Sequence, residues 1–431
     1  MSDSRIIKVD LLTRVEGEGA LGIVLDGDRV VDVQLRIFEP PRFFEGFLQG
    51  RHYSEVPDIV ARICGICPVA YQMSAVHAFE GLFDVEIDPS VRALRRLLYC
   101  AEWIESHALH IYMLHAPDFL GLDSALELGQ SQPELLKRAL RLKKCGDALL
   151  TLLGGRAIHP VSVKVGGFSR VPEASELKAH LEELKWARDA ALATVQLVAG
   201  FDFPDFTMPY TFVAMQPQAE YPMNEGDIAF RPEGQSGQTV RTVDYEKYFI
   251  EKQVAHSNAL HCTLNDKSYI VGPLSRVALN RERLSAMAAQ ALNSVSFTPN
   301  NPHQAIIARA VELLHAFDEA IGLIQSYKRP QRASAPVSVT AGTAMAATEA
   351  PRGLLYHSYR VNAEGIIEQA RIIPPTAQNQ MQMEADLTAL LPSLSGLPDA
   401  GIGRACERVV RSYDPCISCA THFLTVQVQR R

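Results

Sequence analysis

The sequence lacks the features that would attach it to a membrane or to nucleic acid. Its 431 residues contain no apolar run near the roughly 18 residues that a spanning helix needs, and no hydrophobic signal core opens the chain. It also lacks a block of lysine and arginine, and its formal net charge is −7. Polyanions bind basic faces. We therefore expect no membrane span and no nucleic-acid partner.

Cysteine is scarce, and its distribution excludes a secreted disulfide framework. Only eight cysteines occur in the chain, and four of them are scattered singly. We interpret these four as small buried apolar residues of a protein in a reducing, cytoplasmic compartment: Cys100, Cys145, Cys262 and Cys406. The remaining cysteines form two pairs, so none is left over for an iron–sulfur cluster. A glycine-rich dinucleotide fingerprint after a strand is also missing.

Repeats, linkers and low-complexity tracts are absent, which indicates one α+β domain over residues 1–422. Alternating apolar residues around Asp26-Gly27 predict a β hairpin near the N-terminus, and residues 353–373 predict a second hairpin near the C-terminal region. Residues 201–280 have no sustained period and are expected to be irregular strand and loop. Apolar periodicity and proline-marked starts predict a large helical bundle core from these segments: 68–83, 89 to about 119, 133–154, 172–200, 281–295, a helix after Asn301-Pro302, and 398–411.

The paired cysteines lie in two C-x-x-C motifs near the two ends of the chain. Cys64 and Cys67 form the first pair, and Cys416 and Cys419 form the second. Each pair can direct both sulfurs at one point, so together they predict a four-thiolate metal site. Structural zinc or a redox-active pair would be the ordinary interpretation of such spacing. A zinc ribbon, however, carries its pairs within a few dozen residues, and soft thiolates also suit nickel and iron.

The residues around these cysteines resemble a known family. The motifs R-I-C-G-I-C-P at 62–68 and D-P-C-I-S-C-A-T-H at 414–422 are similar to the two metal-binding ends of the large subunit of nickel-iron hydrogenases. The resemblance extends to R-V-E-G at 14–17 and T-E-A-P-R-G at 348–353. It therefore implies the fold of that subunit. Tyr71 stands where many members have a histidine, which favours the soluble, nucleotide-coupled group that includes the sulfhydrogenases.

The resemblance implies a role for each metal-binding cysteine. Cys67 and Cys419 would bridge nickel to an iron that carries cyanide and carbon monoxide, whereas Cys64 and Cys416 would be terminal ligands of nickel. Glu16, from R-x-E-G, would accept the proton that leaves the terminal thiolate when dihydrogen is cleaved. A second cation, magnesium or another divalent ion, would be buried at two residues of the family pattern: Glu45 and His422.

The resemblance also identifies residues around the metals. Arg352 would lie over the open side of the metal pair, with Asp118 and Asp414 as its partners. Three residues are expected to contact the cofactor: Pro351, Pro374 and Thr376. The turn that begins at Pro374 would donate a hydrogen bond to a cyanide.

The resemblance implies that dihydrogen is the substrate and that other chains carry the electrons. An iron–sulfur small subunit would receive them, and flavin- and nucleotide-binding iron–sulfur diaphorase subunits would pass them to NAD(P). Two related functions remain open: a hydrogen-sensing regulatory hydrogenase and a non-catalytic homologue like that in respiratory complex I. The family also implies that a maturation endopeptidase removes residues 423–431. We expect this removal to let Cys416 and Cys419 close the site and to bring His422 to Glu45.

Overall fold

A computed structural model of the chain describes residues 4–27, 29–40 and 43–422. The described helices are α1 Phe44–Leu48, α2 Val56–Val60, α3 Pro68–Phe83, α4 Pro89–Leu109, α5 Ala116–Leu120, α6 Ala125–Ser131, α7 Pro133–Gly154, α8 Ala174–Lys178, α9 Leu181–Ala199, α10 Tyr245–Tyr248, α11 Pro273–Asn280, α12 Ala286–Asn293, α13 Ala305–Ser326, α14 Pro375–Leu390, α15 Asp399–Ser412 and α16 Ile417–Ala420. The described strands are β1 Ser4–Val9, β2 Gly19–Asp26, β3 Arg29–Ile37, β4 Val163–Lys164, β5 Gly167–Phe168, β6 Thr211–Gln216, β7 Asp227–Pro232, β8 Gln238–Val240, β9 Phe249–Lys252, β10 His261–Leu264, β11 Gly342–Ala350, β12 Gly353–Val361 and β13 Ile367–Ile373.

The core is a set of long helices, as the apolar periodicity predicts. Helix α4 packs against α7 and α13, and α13 packs in turn against α9. Asp88 caps the start of α4 by accepting a hydrogen bond from the amide of Ser90, and proline follows at the first helical position. Most of α13 is buried, so it forms the centre of the bundle. Within the described ranges, no helix combines the length and apolar character needed to cross a membrane.

Helix α4 leads directly into a further helical segment of different geometry. It continues through a π-helical turn at His110–His115 into α5. Pro117 explains this turn, because proline has no amide hydrogen and its ring would clash with a carbonyl one turn earlier in a regular helix. The wider turn allows the chain to stay helical as far as Leu120, so Asp118 lies within α5.

Antiparallel hairpins flank the bundle at both ends of the chain. The N-terminal hairpin pairs β2 with β3, and β1 adds a third strand along β2. The C-terminal hairpin pairs β12 with β13. Both predicted hairpins are therefore confirmed. Strand β11, which the sequence analysis did not predict, pairs with β12 along its full length and is joined to it by the two-residue turn Pro351-Arg352.

Two helical predictions differ from the structure, and two longer helices were not predicted. The segment predicted to begin at 172 is broken between α8 and α9, and the one predicted at 281–295 begins only at α12, where Ser285 is the N-cap. Helix α14 was not predicted, because nearly all of its sides are buried and its buried positions include polar ones, which removes the amphipathic pattern. Helix α11 was likewise hidden in the region expected to be irregular.

Candidate metal centre

The two cysteine pairs meet in the interior of the protein. The four Sγ atoms of Cys64, Cys67, Cys416 and Cys419 all lie within 4.8 Å of one another, and all four residues are buried. Two of these atoms, from Cys64 and Cys416, are 3.6 Å apart. This spacing suits one metal ion, or two bridged ions, bound by thiolates.

The first pair is held at the start of α3. The amides of Ile66 and Cys67 both donate to the Cys64 sulfur over 3.3 Å, and Cys67 is the N-cap of α3. The buried carboxylate of Glu102, on α4, then accepts hydrogen bonds from the first turn of α3, at 2.6 Å from the amide of Val69. Sequence reasoning missed Glu102, although an acidic residue amid the apolar residues of a helix is a signal for such a role.

The second pair is held between the N-terminal segment and α14. The amide of Cys416 donates to the hydroxyl of Thr376 over 2.9 Å, and the amide of Ile417 donates to the carbonyl of Glu16 over the same distance. Asp414, two residues before the pair, has a φ of 52°, a left-handed conformation that turns the chain towards the site. The position of these two sulfurs therefore depends on the local turn at Asp414 and on hydrogen bonds to residues far away in the sequence.

Glu16 contacts one of the four cysteines directly. Its Oε2 atom lies 3.1 Å from the Sγ of Cys416 and also accepts a hydrogen bond from the amide of Ser418 over 3.1 Å. The side chain is half-buried. A carboxylate at this distance can receive a proton from the sulfur without an intervening group.

The four thiols influence one another's pKa values. Burial raises the pKa of Cys416 well above its usual value, and neighbouring thiols raise it further. Hydrogen bonds from Cys416 and then Cys419 lower the pKa of Cys64 well below its usual value. Four adjacent sulfurs do not all ionise together in a buried site, so binding of a metal cation would release protons from the cluster.

Arg352 lies beside the cysteines and pairs with Asp414. Its Nε atom donates to the Asp414 carbonyl over 2.8 Å, and its Nη2 atom donates to the Asp414 carboxylate over 3.0 Å. Both residues are buried. Asp118 does not fill the predicted role of a second partner, because it pairs instead with Arg14 and Arg411. The physical reason is that these two arginines already satisfy the Asp118 carboxylate, at 2.5 Å from Arg14 and 2.7 Å from Arg411.

Several buried polar atoms at the site have no hydrogen-bond partner among the described residues. They are Nη1 of Arg352, Oδ2 of Asp414 and the hydroxyl of Tyr71. Burial, and then the negative charge of Cys419, raises the pKa of the Tyr71 hydroxyl well above its usual value. Unsatisfied buried groups of this kind are costly, so the site fits a bound group that carries polar atoms of its own.

The three residues predicted to contact the cofactor all lie near the second cysteine pair or Arg352. Thr376 is buried in the first turn of α14, and its hydroxyl keeps a hydrogen to donate after accepting from Cys416. Pro374 is the N-cap of α14. The carbonyl of Pro351, in the turn before Arg352, accepts a hydrogen bond from Arg276 over 2.8 Å. Contact of these residues with a cofactor stays a prediction.

Glu45 and His422 meet at the wall of a separate cavity. The Nε2 atom of His422 lies 3.0 Å from Oε2 of Glu45, and Oε1 of Glu45 accepts from the amide of Ile372 over 2.7 Å. The cavity has a volume of about 580 Å³ and also reaches Cys419. Both side chains are 27% exposed, so this pair is half-buried rather than buried.

The segment predicted to be removed, residues 423–431, lies outside the described residues, so the expected order of closure stays a prediction. Among the described residues, Cys416 and Cys419 lie beside the first pair and His422 contacts Glu45.

A buried cluster of ion pairs supports the turn Pro351-Arg352. Arg276, on α11, forms ion pairs with Glu312 and Glu349 at 2.7 and 3.0 Å, and all three side chains are fully buried. The same guanidinium donates to the carbonyls of Ala350 and Pro351 over 2.9 and 2.8 Å. Arg276 thereby positions the turn that carries Arg352. The sequence analysis did not identify it, because nothing local distinguishes it from a surface arginine.

Comparison with known proteins yields matches along nearly the whole chain. A family model described as nickel-dependent hydrogenase matches residues 42–138 and 225–422. Sulfhydrogenase 1 subunit alpha of Pyrococcus furiosus is 34% identical, with 97% of this chain and 98% of the relative covered. The subunit beta of the NAD-reducing hydrogenase HoxS of Cupriavidus necator is 27% identical over 98% of this chain and 96% of the relative. A crystal structure of an NAD+-reducing [NiFe]-hydrogenase in the H2-reduced state superposes with a TM-score of 0.89, at 27% identity, and covers 97% of this chain and 99% of the other.

Proposed function

Because the chain belongs to the nickel-dependent hydrogenase family, we propose that it is the catalytic large subunit in which dihydrogen is reversibly and heterolytically cleaved. The observation that carries the proposal is the set of four buried sulfurs within 4.8 Å of one another, with a carboxylate at one of them. A non-catalytic homologue would not need this arrangement. A structural zinc site would not need Glu16 or Arg352 beside it.

The cysteines would hold a nickel–iron group whose iron carries cyanide and carbon monoxide. Cys67 and Cys419 are proposed to bridge the two metals, and Cys64 and Cys416 to be terminal ligands of nickel. When bound, this group supplies the open coordination position and the redox capacity that the side chains lack. Glu45 and His422 are proposed to ligate a magnesium or other divalent ion. Their carboxylate oxygen suits a hard cation.

The side chains around the cysteines would move protons and orient the substrate. A proton on the Cys416 sulfur can pass directly to Glu16 over 3.1 Å. Arg352 is held by its two contacts to Asp414, and its Nη1 atom has no hydrogen-bond partner among the described residues, so we propose that Nη1 is the donor that faces the bound group. Burial of the four cysteines, Arg352 and Asp414 limits the access of water that would otherwise compete for the proton.

Electrons must leave through other chains. The four remaining cysteines are buried separately, and within the described ranges the tetrad is the one group of cysteines close enough to bind a metal together. We propose an iron–sulfur small subunit as the first acceptor, and flavin- and nucleotide-binding diaphorase subunits that reduce NAD(P). The NAD-reducing and sulfhydrogenase relatives support this route. We further propose that the assembly works in the cytoplasm.

The proposal is tested with the purified multi-subunit complex. We expect nickel in the large subunit and dihydrogen-dependent reduction of NAD(P), and we expect Cys416→Ser to lose both. Cys145→Ser is the matched control, because Cys145 is buried outside the site and donates to the carbonyl of Arg141 in a way that serine can copy. Metal analysis that finds zinc without nickel and iron would contradict the proposal. Dihydrogen binding without steady-state turnover would instead indicate a sensor.

We also propose that the active subunit ends at His422, after removal of residues 423–431 by a maturation endopeptidase. The end of the described chain is docked on the protein, because the amide of His422 donates to the carbonyl of Asn258 over 2.8 Å. This contact supports His422 as the last residue of the active subunit. Intact-mass measurement of active enzyme is expected to match a chain that ends at His422. A fully active subunit of the full-length mass would refute this.

A further inference from the structure

A second group of metal-ligating side chains lies outside the site described above. His256 precedes β10, His261 begins β10, and Glu384 lies on α14. One ligand atom from each lies within 4.8 Å of the other two. The His256 Nε2 atom is 2.8 Å from Oε1 of Glu384, and the His261 Nε2 atom is 3.7 Å from Oε2 of the same carboxylate. Three ligands therefore converge from two separate elements.

His261 is the member whose role is otherwise unexplained. Its side chain is only 8% exposed, and its Nε2 atom has no hydrogen-bond partner in the part of the chain that the structure describes. The 3.7 Å separation from Glu384 is too long for a hydrogen bond but leaves room for an ion between the two groups. A buried imidazole nitrogen directed at a carboxylate without bonding to it points to a missing ligand.

The ligand types select the class of ion. Two imidazoles and one carboxylate form a set that binds zinc and similar transition ions, whereas magnesium prefers oxygen ligands alone. Burial lowers the pKa of His261 to about 4, so its ring is neutral and able to donate a lone pair. His256 and Glu384 are 21% and 15% exposed, so an ion can enter from solvent.

The location of the cluster gives the ion a structural role. Between the two histidines, the amide of Asn258 donates to the carbonyl of Ile37 over 2.7 Å, and its carbonyl accepts the amide of His422. The adjacent Ala259 pairs with Thr421 as an isolated bridge. The segment from His256 to His261 is therefore the surface on which the end of the described chain rests, three residues beyond Cys419.

We propose that His256, His261 and Glu384 bind a zinc-class divalent transition ion, which fixes this segment against α14 and so stabilises the docking of Thr421 and His422. The site uses no residue of the cysteine cluster or of the Glu45–His422 pair. It does not depend on dihydrogen chemistry, so it can be tested independently of the proposed function.

The test uses the purified complex after a wash with a chelator, with zinc chloride as the probe. We expect one additional zinc per large subunit, with imidazole ligands in zinc-edge X-ray absorption, and a rise in the unfolding temperature. His261→Leu should weaken zinc binding by at least about 100-fold and abolish the temperature rise. Because Nε2 of His261 has no hydrogen bond to lose among the described residues, this variant should fold in the absence of zinc.

Two further variants keep the test decisive. Glu384→Gln retains an acceptor for the amide of Leu35, which donates to Glu384 over 2.8 Å, yet removes the ligand charge, so zinc binding should again fall. His180→Gln is the matched control at a histidine outside both metal-binding groups and should bind zinc like the wild type. Unchanged zinc affinity in His261→Leu and Glu384→Gln, or equal binding of magnesium chloride, would overturn the site.

The docking role has its own measurement. Zinc should slow hydrogen exchange at the amide of His422 in the wild type and leave it unchanged in His261→Leu. If zinc binds with imidazole ligands but exchange at His422 does not change, the role in docking is wrong.

Discussion

Replacing Glu16 with glutamine is expected to slow dihydrogen oxidation by about 10²- to 10⁴-fold, the usual contribution of a positioned proton acceptor. The Oε2 atom of Glu16 is 3.1 Å from the Cys416 sulfur, and an amide cannot accept the proton that the carboxylate accepts there. The glutamine oxygen can still accept the hydrogen bond from the amide of Ser418, so the second cysteine pair should stay in place. The variant should therefore retain its nickel.

The measurement is steady-state dihydrogen oxidation alongside metal content, in the assembled complex. Glu18→Gln is the matched control, since Glu18 lies two residues away, is exposed and undergoes the same change of charge. It should retain wild-type activity. Near-wild-type turnover in Glu16→Gln with full nickel would show that the proton leaves by another route.

Replacing Arg276 with methionine is expected to lower the free energy of unfolding of the large subunit by about 3–5 kcal/mol, the cost of removing one partner from a buried ion pair. The change leaves two fully buried carboxylates, Glu312 and Glu349, without their cation. It also removes the donors to the carbonyls of Ala350 and Pro351. Activity should fall as well, because the turn that carries Arg352 loses its support.

The loss of stability in Arg276→Met should depend on pH. Burial acts to raise the pKa of Glu312, but Arg276 outweighs it and holds the pKa at about 2. Burial raises the pKa of Glu349 to about 7. Without Arg276 both carboxyls have higher pKa values in the folded state than in the unfolded state, so they stabilise the fold while protonated and lose this contribution as the pH rises. The destabilisation should therefore be larger at pH 8 than at pH 5.

Thermal unfolding of wild type and variant at these two pH values decides the matter. Arg281→Met is the control, because Arg281 is an exposed arginine just after the same helix and its side chain bonds only to Asn293 in the described hydrogen bonds. Its unfolding temperature should stay near that of the wild type. An equally small shift in Arg276→Met would mean that the buried cluster contributes no net stability.

The long helices and the two hairpins were predictable because their signals are local. Proline after Asp88 and apolar residues one turn apart predict α4, and strict alternation predicts β3. Helix α14 was not predictable in this way. Its buried glutamines bond to distant groups, as when Gln378 donates to the carbonyl of Leu354, and such partners are invisible to periodicity.

The sequence by itself determined which atoms this protein offers for chemistry. Two C-x-x-C pairs supply four soft ligands whatever the surrounding fold, and the motifs around them are specific enough to indicate the family. Thiolate chemistry depends on residue type and short spacing, so it can be recognised without a structure. The sequence alone also shows that the four remaining cysteines form no motif for an iron–sulfur cluster.

Only the tertiary structure decided how those atoms are arranged and what else meets them. Glu16 and Cys416 are 400 residues apart in the chain, yet a carboxylate oxygen and a sulfur lie 3.1 Å apart. The structure also assigned Asp414 rather than Asp118 to Arg352, and it brought His256, His261 and Glu384 together. Such contacts result from the packing of distant elements around one core, and no local pattern of residues records which distant side chains that packing will join.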